Sequence, residues 1–468
     1  MAEERQYDVT IIGSGPGGYV AAVRAAQLGM TTAVVEMYEQ PGGTCLHWGC
    51  IPTKALLHSA ELLDSANHAG KFGVKVSGAE LDLPGVHRYK KKVVQSNAKG
   101  VEFLFKKNGV TLLQGRGRLA GPGRVEVTPR DGEAYTVETR STVIATGSVI
   151  RGLPGVEFDG KKIINSDDAL SLDRIPKSMI VLGAGAVGVE FASIYRSFGA
   201  EVTLVELLPR LVPLEDESLG AELEKAFKRR GIVAHTGTRV TEVKTNGKAV
   251  RVTADKDGET LELEAEVLLV AVGRKPAIDD VGLESSRVTV DERGFVVVDE
   301  MMRTGEPGVY AIGDVLATQA LAHVASHEGI LAMEHAAGQN PSPIRYDRVP
   351  SCTYCQPEVA SIGLSEQAAR EQGHEVVVGK FPFTAIGKAK ILDDTRGFVK
   401  IVAEKRYDEV LGVHIIGPHA TELIAEATLA LNLEATAESI FHAIHAHPTL
   451  SEAMGEAALA VHERPIHF

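Results

Sequence analysis

Residues 7–36 read YDVTIIGSGPGGYVAAVRAAQLGMTTAVVE. An apolar strand pattern runs into a glycine-rich turn, a helical stretch follows, and a second apolar strand ends on Glu36. The glycines are Gly13, Gly15 and Gly18, and the acid stands 23 positions after the first of them. Residues 177–206, KSMIVLGAGAVGVEFASIYRSFGAEVTLVE, repeat the pattern, with Gly183, Gly185, Gly188 and Glu206 at the same spacing. A lone GxGxxG carries little weight. Here each copy follows a strand, opens a helix and has its acid at the distance a dinucleotide site requires. The first glycine permits the tight turn, the second lets backbone approach a pyrophosphate, and the third allows close packing of helix on strand. The helix N-terminus stabilises the phosphate charge. Glu36 and Glu206 are expected to accept hydrogen bonds from ribose hydroxyls. A carboxylate at Glu206, followed by Leu207 and Leu208 rather than a cation, repels a 2′-phosphate, so the second site favours NAD over NADP.

The rest of the chain is ordered by this repeat. At 468 residues it is too long for one core. A helix is expected over about residues 86–107, β structure over 125–137, and a buried strand ending in a turn over 142–147 (TVIATG). Residues 152–155 (GLPG) read as a linker, and residues 267–273 (VLLVAVG) as another buried strand. Residues 309–314 (VYAIGD) run from a strand into a turn, with a helix following through Ala337. From Tyr346 the pattern changes to alternating strands, at 397–402 and 410–416, followed by helices, which reads as an α+β domain.

Composition narrows the function classes. The apolar fraction is 44% and the net charge −13, which argues against nucleic acid or an anionic membrane as partner. The short basic cluster at residues 88–92 reads as a solvated helix face. Residues 1–5 are mixed in charge and a strand begins by Tyr7, leaving no room for a signal peptide. No apolar run approaches a membrane span. Four cysteines do not make a secreted disulfide framework, so the cytosol or a similarly reducing compartment is expected.

Two of those cysteines lie in residues 42–54, GGTCLHWGCIPTK, with the only tryptophan. Zinc ligation would have to join Cys45 and Cys50 to Cys352 and Cys355. The last two are expected on one strand, pointing to opposite faces, which suits two small buried residues better than ligands or a disulfide. In a regular helix Cys45 and Cys50 would rise about 7.5 Å apart and diverge, whereas a disulfide wants Cα atoms about 4.4–6.8 Å apart. A bridge therefore requires a distorted first turn, which Gly42, Gly43 and Gly49 permit. A helix N-terminus and Lys54 one turn on both favour thiolate.

With these residues assembled, the chain resembles the two-dinucleotide-fold flavoprotein disulfide reductases. GGTC, four residues and CxPxK match the redox signature. Thr146-Gly147, the Gly183–Gly188 loop, residues 310–314 and residues 445–452 (HAHPTLSE) follow in the family's order. The resemblance implies an α/β fold with Rossmann-like FAD and NAD domains at 1–150 and 151–275. It further implies a central domain completing the FAD site at 276–345 and a C-terminal α+β dimerisation domain at 346–468. It implies that Cys45 is the interchange thiol and Cys50 the thiol beside the flavin, the two forming a redox disulfide. Lys54 and Glu190 match the pair beside flavin N5, and Asp314 would contact the ribityl chain. Leu321, Ala322 and His323 would present a helix N-terminus to the isoalloxazine edge. The cofactor-binding set is completed by Gly43, Thr44, Thr146, Gly147, Gly273 and Gly313, and no metal is expected. His447 is the implied acid/base, oriented by Glu452, both supplied to the partner subunit's site in a homodimer. The bond from His447 to Pro448 is expected to be cis.

The implied activity is oxidation of protein-bound dihydrolipoamide through Cys45–Cys50 and FAD to NAD⁺, in association with lipoyl domains and the core of 2-oxo acid dehydrogenase complexes. An NAD(P)H-dependent reductase of another disulfide and a soluble transhydrogenase are the alternatives. The chain departs from the family's habit at His47 and Trp48, where Asn and a small or apolar residue are common, and at Cys355, where threonine is common.

Overall fold

A computed structural model describes residues 5–468. Residues 1–4, on which the reading of the extreme N-terminus rests, lie outside the described residues. The chain divides into two units: one of segments Met1–Ala55, Pro84–Arg151 and Arg274–Tyr346, the other of Leu56–Leu83, Gly152–Gly273 and Asp347–Phe468.

In the first unit the strands Arg5–Ile12, Thr32–Glu36 and Thr111–Gln114 pair in parallel, because helices connect the first to the second and the second to the third and return the chain to the same end of the sheet. Tyr135–Ile144 lies on the other side of Arg5–Ile12. The expected strands at 125–137 and 142–147 are drawn differently in the structure. Residues 135–144 form one ten-residue strand whose first half pairs antiparallel with Arg124–Thr128 and whose last residues pair in parallel with Val309–Ala311. A change of partner along one edge looks in sequence like two strands. Val9, Ile11, Val34, Val143, Ile144 and Ala311 are buried in its core. The helix expected over 86–107 spans Leu83–Asn108, with Arg88, Lys91 and Lys92 exposed on it.

The helices Pro16–Gln27 and Ala322–Ala336 cross in close contact. A Cβ on Gly17 would sit 3.0 Å from the Ala325 carbonyl oxygen, and one on Gly329 would sit 2.7 Å from that of Gly17. Two glycines thus let the helices meet nearly backbone to backbone, and their first turns lie side by side, with the Ser326 hydroxyl 3.4 Å from the Pro16 carbonyl.

In the second unit a parallel sheet runs Val233–His235, Glu201–Val205, Ser178–Leu182, Val267–Val270, Ile163–Ile164. Three antiparallel strands, Arg239–Thr245, Val250–Lys256 and Glu259–Ala265, form a separate sheet. A five-stranded antiparallel sheet holds Ser351–Thr353, Glu358–Gly363, Val410–Gly417, Phe398–Glu404 and Val376–Pro382. The helices Ala420–Asn432 and Glu452–Val461 cover it, burying Ile424, Ala427, Ala453, Ala457 and Ala458. The strand at Cys352 stops at Thr353, so Cys355 is not on it. Cys355 is buried beside the cis Gln356–Pro357 bond, whereas Cys352 is only half-buried, so of the two expected buried strand cysteines Cys352 alone is on the strand and Cys355 alone is buried.

Candidate active site

Both glycine loops show a division of labour. Gly13 has φ +103°, and a Cβ there would lie 2.4 Å from the Ala145 carbonyl oxygen. A Cβ on Gly18 would lie 2.0 Å from the Gly13 carbonyl oxygen. At Gly15 a Cβ would meet nothing within 4 Å. The second loop repeats this: Gly183 has φ +96° and meets Ala271 at 2.4 Å, Gly188 meets Gly183 at 1.8 Å, and Gly185 meets nothing. The outer glycines are required by the protein's own backbone. The middle one is not, and its missing side chain leaves room for a group brought from outside, as a pyrophosphate requires. The helices Pro16–Gln27 and Ala186–Ser197 begin there, and no side chain caps either N-terminus.

The acids close each site. Glu36 is buried and accepts the Ser14 N–H (3.0 Å) and the Ser14 hydroxyl with one oxygen, and the Tyr38 N–H (2.9 Å) with the other. Glu206 is buried likewise, accepting the N–H groups of Ala184 (2.6 Å) and Leu208 (2.8 Å). Leu207 and Leu208 are exposed, and no cation stands directly after the acid. The residues fit two dinucleotides.

Around the first loop the other expected positions gather. Gly43 has φ +62°, and a Cβ there would lie 2.5 Å from Gly15 Cα, so the start of the redox segment is pressed against the glycine loop. The helix at Gly43–His47 carries Thr44 and Cys45; it breaks at Trp48 and Gly49, and a new helix, Cys50–His68, begins on the second cysteine. That break is the distortion the spacing required. A Cβ on Gly49 would sit 3.3 Å from Cys45 Cα, so the absent side chain eases the close approach of the second helix. No disulfide joins Cys45 and Cys50 in this structure. The hydrogen bond between them, then burial, push the Cys45 thiol far above its ordinary range. Lys54 lies in the first turn or so of the second helix.

Thr146 donates its hydroxyl to the Ala277 carbonyl at 2.6 Å, Gly147 has φ +74°, and Gly313 has φ +73°. Asp314 accepts the Ser148 hydroxyl at 2.5 Å, and Ser148 is itself held by Arg274 at 2.7 and 2.6 Å. Leu321 caps the helix Ala322–Ala336 without a side-chain bond, and His323 is exposed on its first turn. Glu328, fully buried on that helix, accepts the Gly313 N–H (2.6 Å), the Thr318 hydroxyl (2.8 Å) and the Tyr346 hydroxyl (2.8 Å). Burial raises its carboxyl against those bonds. Sequence reading missed Ser14, a variable position inside the first glycine motif, and Ser148, Arg274 and Glu328, which sit in no spaced motif and act through partners outside their own elements.

In the second unit Glu190 is buried on its helix and accepts the Tyr354 N–H at 2.9 Å, and Gly273 has φ +112° with open space at its Cα. His447 is exposed, and its Nδ1 lies 2.8 Å from Oε1 of Glu452, whose other oxygen accepts the Thr449 N–H at 2.9 Å. Burial works to raise the Glu452 carboxyl, but these bonds hold it below its ordinary value. With Nδ1 engaged by a carboxylate, Nε2 is the basic nitrogen of the neutral ring. The His447–Pro448 bond is cis. A neighbouring pair, His445 Nε2 to Glu426 Oε1 at 2.7 Å, was not foreseen. Among the described residues no cluster of His, Cys, Asp and Glu could hold a metal, and no helix is long and apolar enough to cross a membrane.

The sequence pattern described as pyridine nucleotide-disulphide oxidoreductase matches residues 7–329, and that of the same family's dimerisation domain matches residues 349–458. The chain is 48% identical over 474 residues to dihydrolipoyl dehydrogenase of Bacillus subtilis (strain 168), covering 99% of both chains. It is 44% identical to mitochondrial dihydrolipoyl dehydrogenase of Pisum sativum, covering 98% of this chain and 92% of that one. A leghemoglobin reductase of Glycine max is also 44% identical, over 98% and 88%. Among solved structures, LpdA from Mycobacterium tuberculosis superposes with a TM-score of 0.89 at 29% identity, covering 97% of this chain and 99% of that one.

Proposed function

The chain belongs to the pyridine nucleotide-disulphide oxidoreductases, and from that premise we propose that it is an NAD-linked dihydrolipoyl dehydrogenase. The observation that carries the reading is the hydrogen-bonded Cys45–Cys50 pair, held across a helix break against the first glycine loop. Gly13, Gly15, Gly18, Glu36, Gly43, Thr44, Thr146, Gly147, Gly313 and Asp314 hold FAD, with Lys54, Glu190 and the turn Leu321-Ala322-His323 around its flavin. Gly183, Gly185, Gly188, Glu206 and Gly273 hold NAD. The four segments 1–150, 151–275, 276–345 and 346–468 serve as FAD, NAD, central and dimerisation domains.

The residues' own chemistry follows. His447 Nε2 removes a proton from a thiol of dihydrolipoamide, while Glu452 keeps the proton of Nδ1 in place and stabilises the cation that forms. The substrate thiolate attacks Cys45 of the oxidised pair, and Cys50 leaves as thiolate. The second substrate thiol then attacks its own mixed-disulfide sulfur and displaces Cys45, which takes up that thiol's proton, closing the lipoamide disulfide and leaving Cys45 as thiol, Cys50 as thiolate and His447 protonated. FAD held by these residues would supply a two-electron carrier between the dithiol and NAD⁺. His447 and Glu452 act in the partner subunit's site of a homodimer, consistent with a match to the dimerisation domain. Lipoyl domains bring the substrate, the core of a 2-oxo acid dehydrogenase complex is the partner, and the compartment is cytoplasmic.

The test compares NADH-linked reduction of lipoamide, glutathione disulfide and a quinone by the flavin-loaded protein. Lipoamide as the preferred substrate is expected, and its loss in Cys50→Ser with flavin still bound. Absence of lipoamide turnover in either direction, or full activity of Cys50→Ser, would overturn the scheme.

A further inference from the structure

The two glycine loops share a further device. In each, the residue after the first glycine gives its N–H to the acid that ends the second strand, Ser14 to Glu36 and Ala184 to Glu206. In each, that same residue's carbonyl accepts a backbone N–H from 28 positions later. Gly42 donates to Ser14 at 3.1 Å and Val212 to Ala184 at 2.9 Å. Both donors have positive φ, +126° and +41°, the second being an uncommon conformation for a β-branched residue. Past each acid, then, the chain doubles back and fastens to its glycine loop in the same way.

The copies part at one side chain. Ser14 is fully buried; its hydroxyl donates to the Glu36 oxygen that already holds its N–H, and accepts the Gly42 N–H at 3.1 Å. Ala184 has no such group. The segments so fastened differ too. Gly42 is the N-cap of the helix that carries Cys45, whereas Val212 leads to Asp216 and the helix Glu217–Arg229, which bears no redox group.

We propose that Ser14 is a positioning residue that links the carboxylate facing the FAD ribose to the start of the redox helix. The inference rests on reading the first loop as the FAD site. Gly42 N–H, Ser14 O–H and the Glu36 carboxylate form a hydrogen-bond chain, and such chains polarise one another in a buried setting. Whatever orders Glu36 therefore tightens the anchor of Gly42, and cofactor binding at the ribose steadies Cys45 and Cys50, which follow that anchor in the sequence. The second copy, with no cysteines to place, does without the hydroxyl.

Ser14→Ala gives the first loop the side chain of the second, which folds with alanine. It should raise the FAD dissociation constant roughly tenfold, as losing a hydrogen bond to a buried charge does. At saturating FAD it should also raise the rate at which iodoacetamide alkylates the reduced pair by about threefold, the low end of what one net hydrogen bond contributes, through the loosened chain. Ser14→Thr, which keeps the hydroxyl, should restore both. Values within twofold of wild type for a flavin-loaded Ser14→Ala overturn the proposal, as do equal changes in the alanine and threonine variants. A wild-type protein that takes up no FAD would instead sink the reading of the loop itself.

Discussion

His447 and Glu452 stand five residues apart in the chain, and Nδ1 of the first lies 2.8 Å from Oε1 of the second. The carboxylate is fixed from its other side by the Thr449 N–H, so the ring is oriented by a group that cannot turn away. Glu452→Gln should therefore keep the protein folded while lowering kcat for dihydrolipoamide by about tenfold to a hundredfold, and His447→Gln should cost more, about 10²–10⁴-fold. Steady-state kinetics decide it; a Glu452→Gln enzyme at full kcat would deny the carboxylate its role.

The neighbouring His445 offers a pH test with a defined sign. Its hydrogen bond to Glu426, only partly offset by burial, raises it above the ordinary 6.5. A raised histidine stabilises the fold below its unfolded value and loses that contribution as pH climbs through the folded one. As the pH climbs from about 6.5 through the raised folded value, the wild type should lose more stability than Glu426→Gln does. Denaturation midpoints across that window, with an NMR titration of His445, measure it; parallel curves would count against the pair.

Lys400 provides a stability test in the second unit. Its ammonium lies 3.0 and 2.9 Å from the two Asp216 oxygens and 3.0 Å from Glu366, with Lys400 and Asp216 both buried. Lys400→Met leaves Asp216 as an uncompensated buried charge and should cost about 3–5 kcal/mol, with Asp216→Asn in the same chain recovering much of the loss. Urea unfolding of the single and double variants reads this. Additive losses would show that the two groups do not act on each other.

Trp48 sits at the helix break, its ring 4.5 Å from that of Tyr38 and 5.3 Å from that of His47. As the only tryptophan, it reports on the redox segment without interference. Its emission should be strongly quenched in the flavin-loaded protein and rise several-fold when FAD is removed. Emission unchanged by that removal would place the flavin elsewhere.

Where residue type and spacing carry the chemistry, sequence reading reached the structure. The glycines and the two acids are of this kind, because the turn and strand geometry demands those residues at those intervals, whereas the pairing of Cys45 with Cys50 and of His447 with Glu452 was implied by the family resemblance and not by spacing. The same reading could not see groups whose partners are far along the chain. Ser148 meets Asp314 across 166 positions, and Lys400 meets Asp216 across 184. Nor could it see that residues 135–144 form one strand, because their change of partner depends on Val309–Ala311, far later in the sequence. The cysteine at 355 was misplaced for a local reason: an alternating pattern continues past Thr353, where the strand ends ahead of the Gln356–Pro357 bond.

The open space at Gly15 and Gly185, set between glycines that the backbone itself demands, means that two separate requirements are interleaved in each motif. One is owed to the architecture: alanine at 13, 18, 183 or 188 should prevent folding. The other is owed to the guest, since alanine at 15 or 185 should yield a well-folded protein that no longer retains its nucleotide. A descendant of such a chain could abandon its cofactor by changing one letter and keep its shape. In a relative of unknown activity, the middle glycine is therefore the one to inspect.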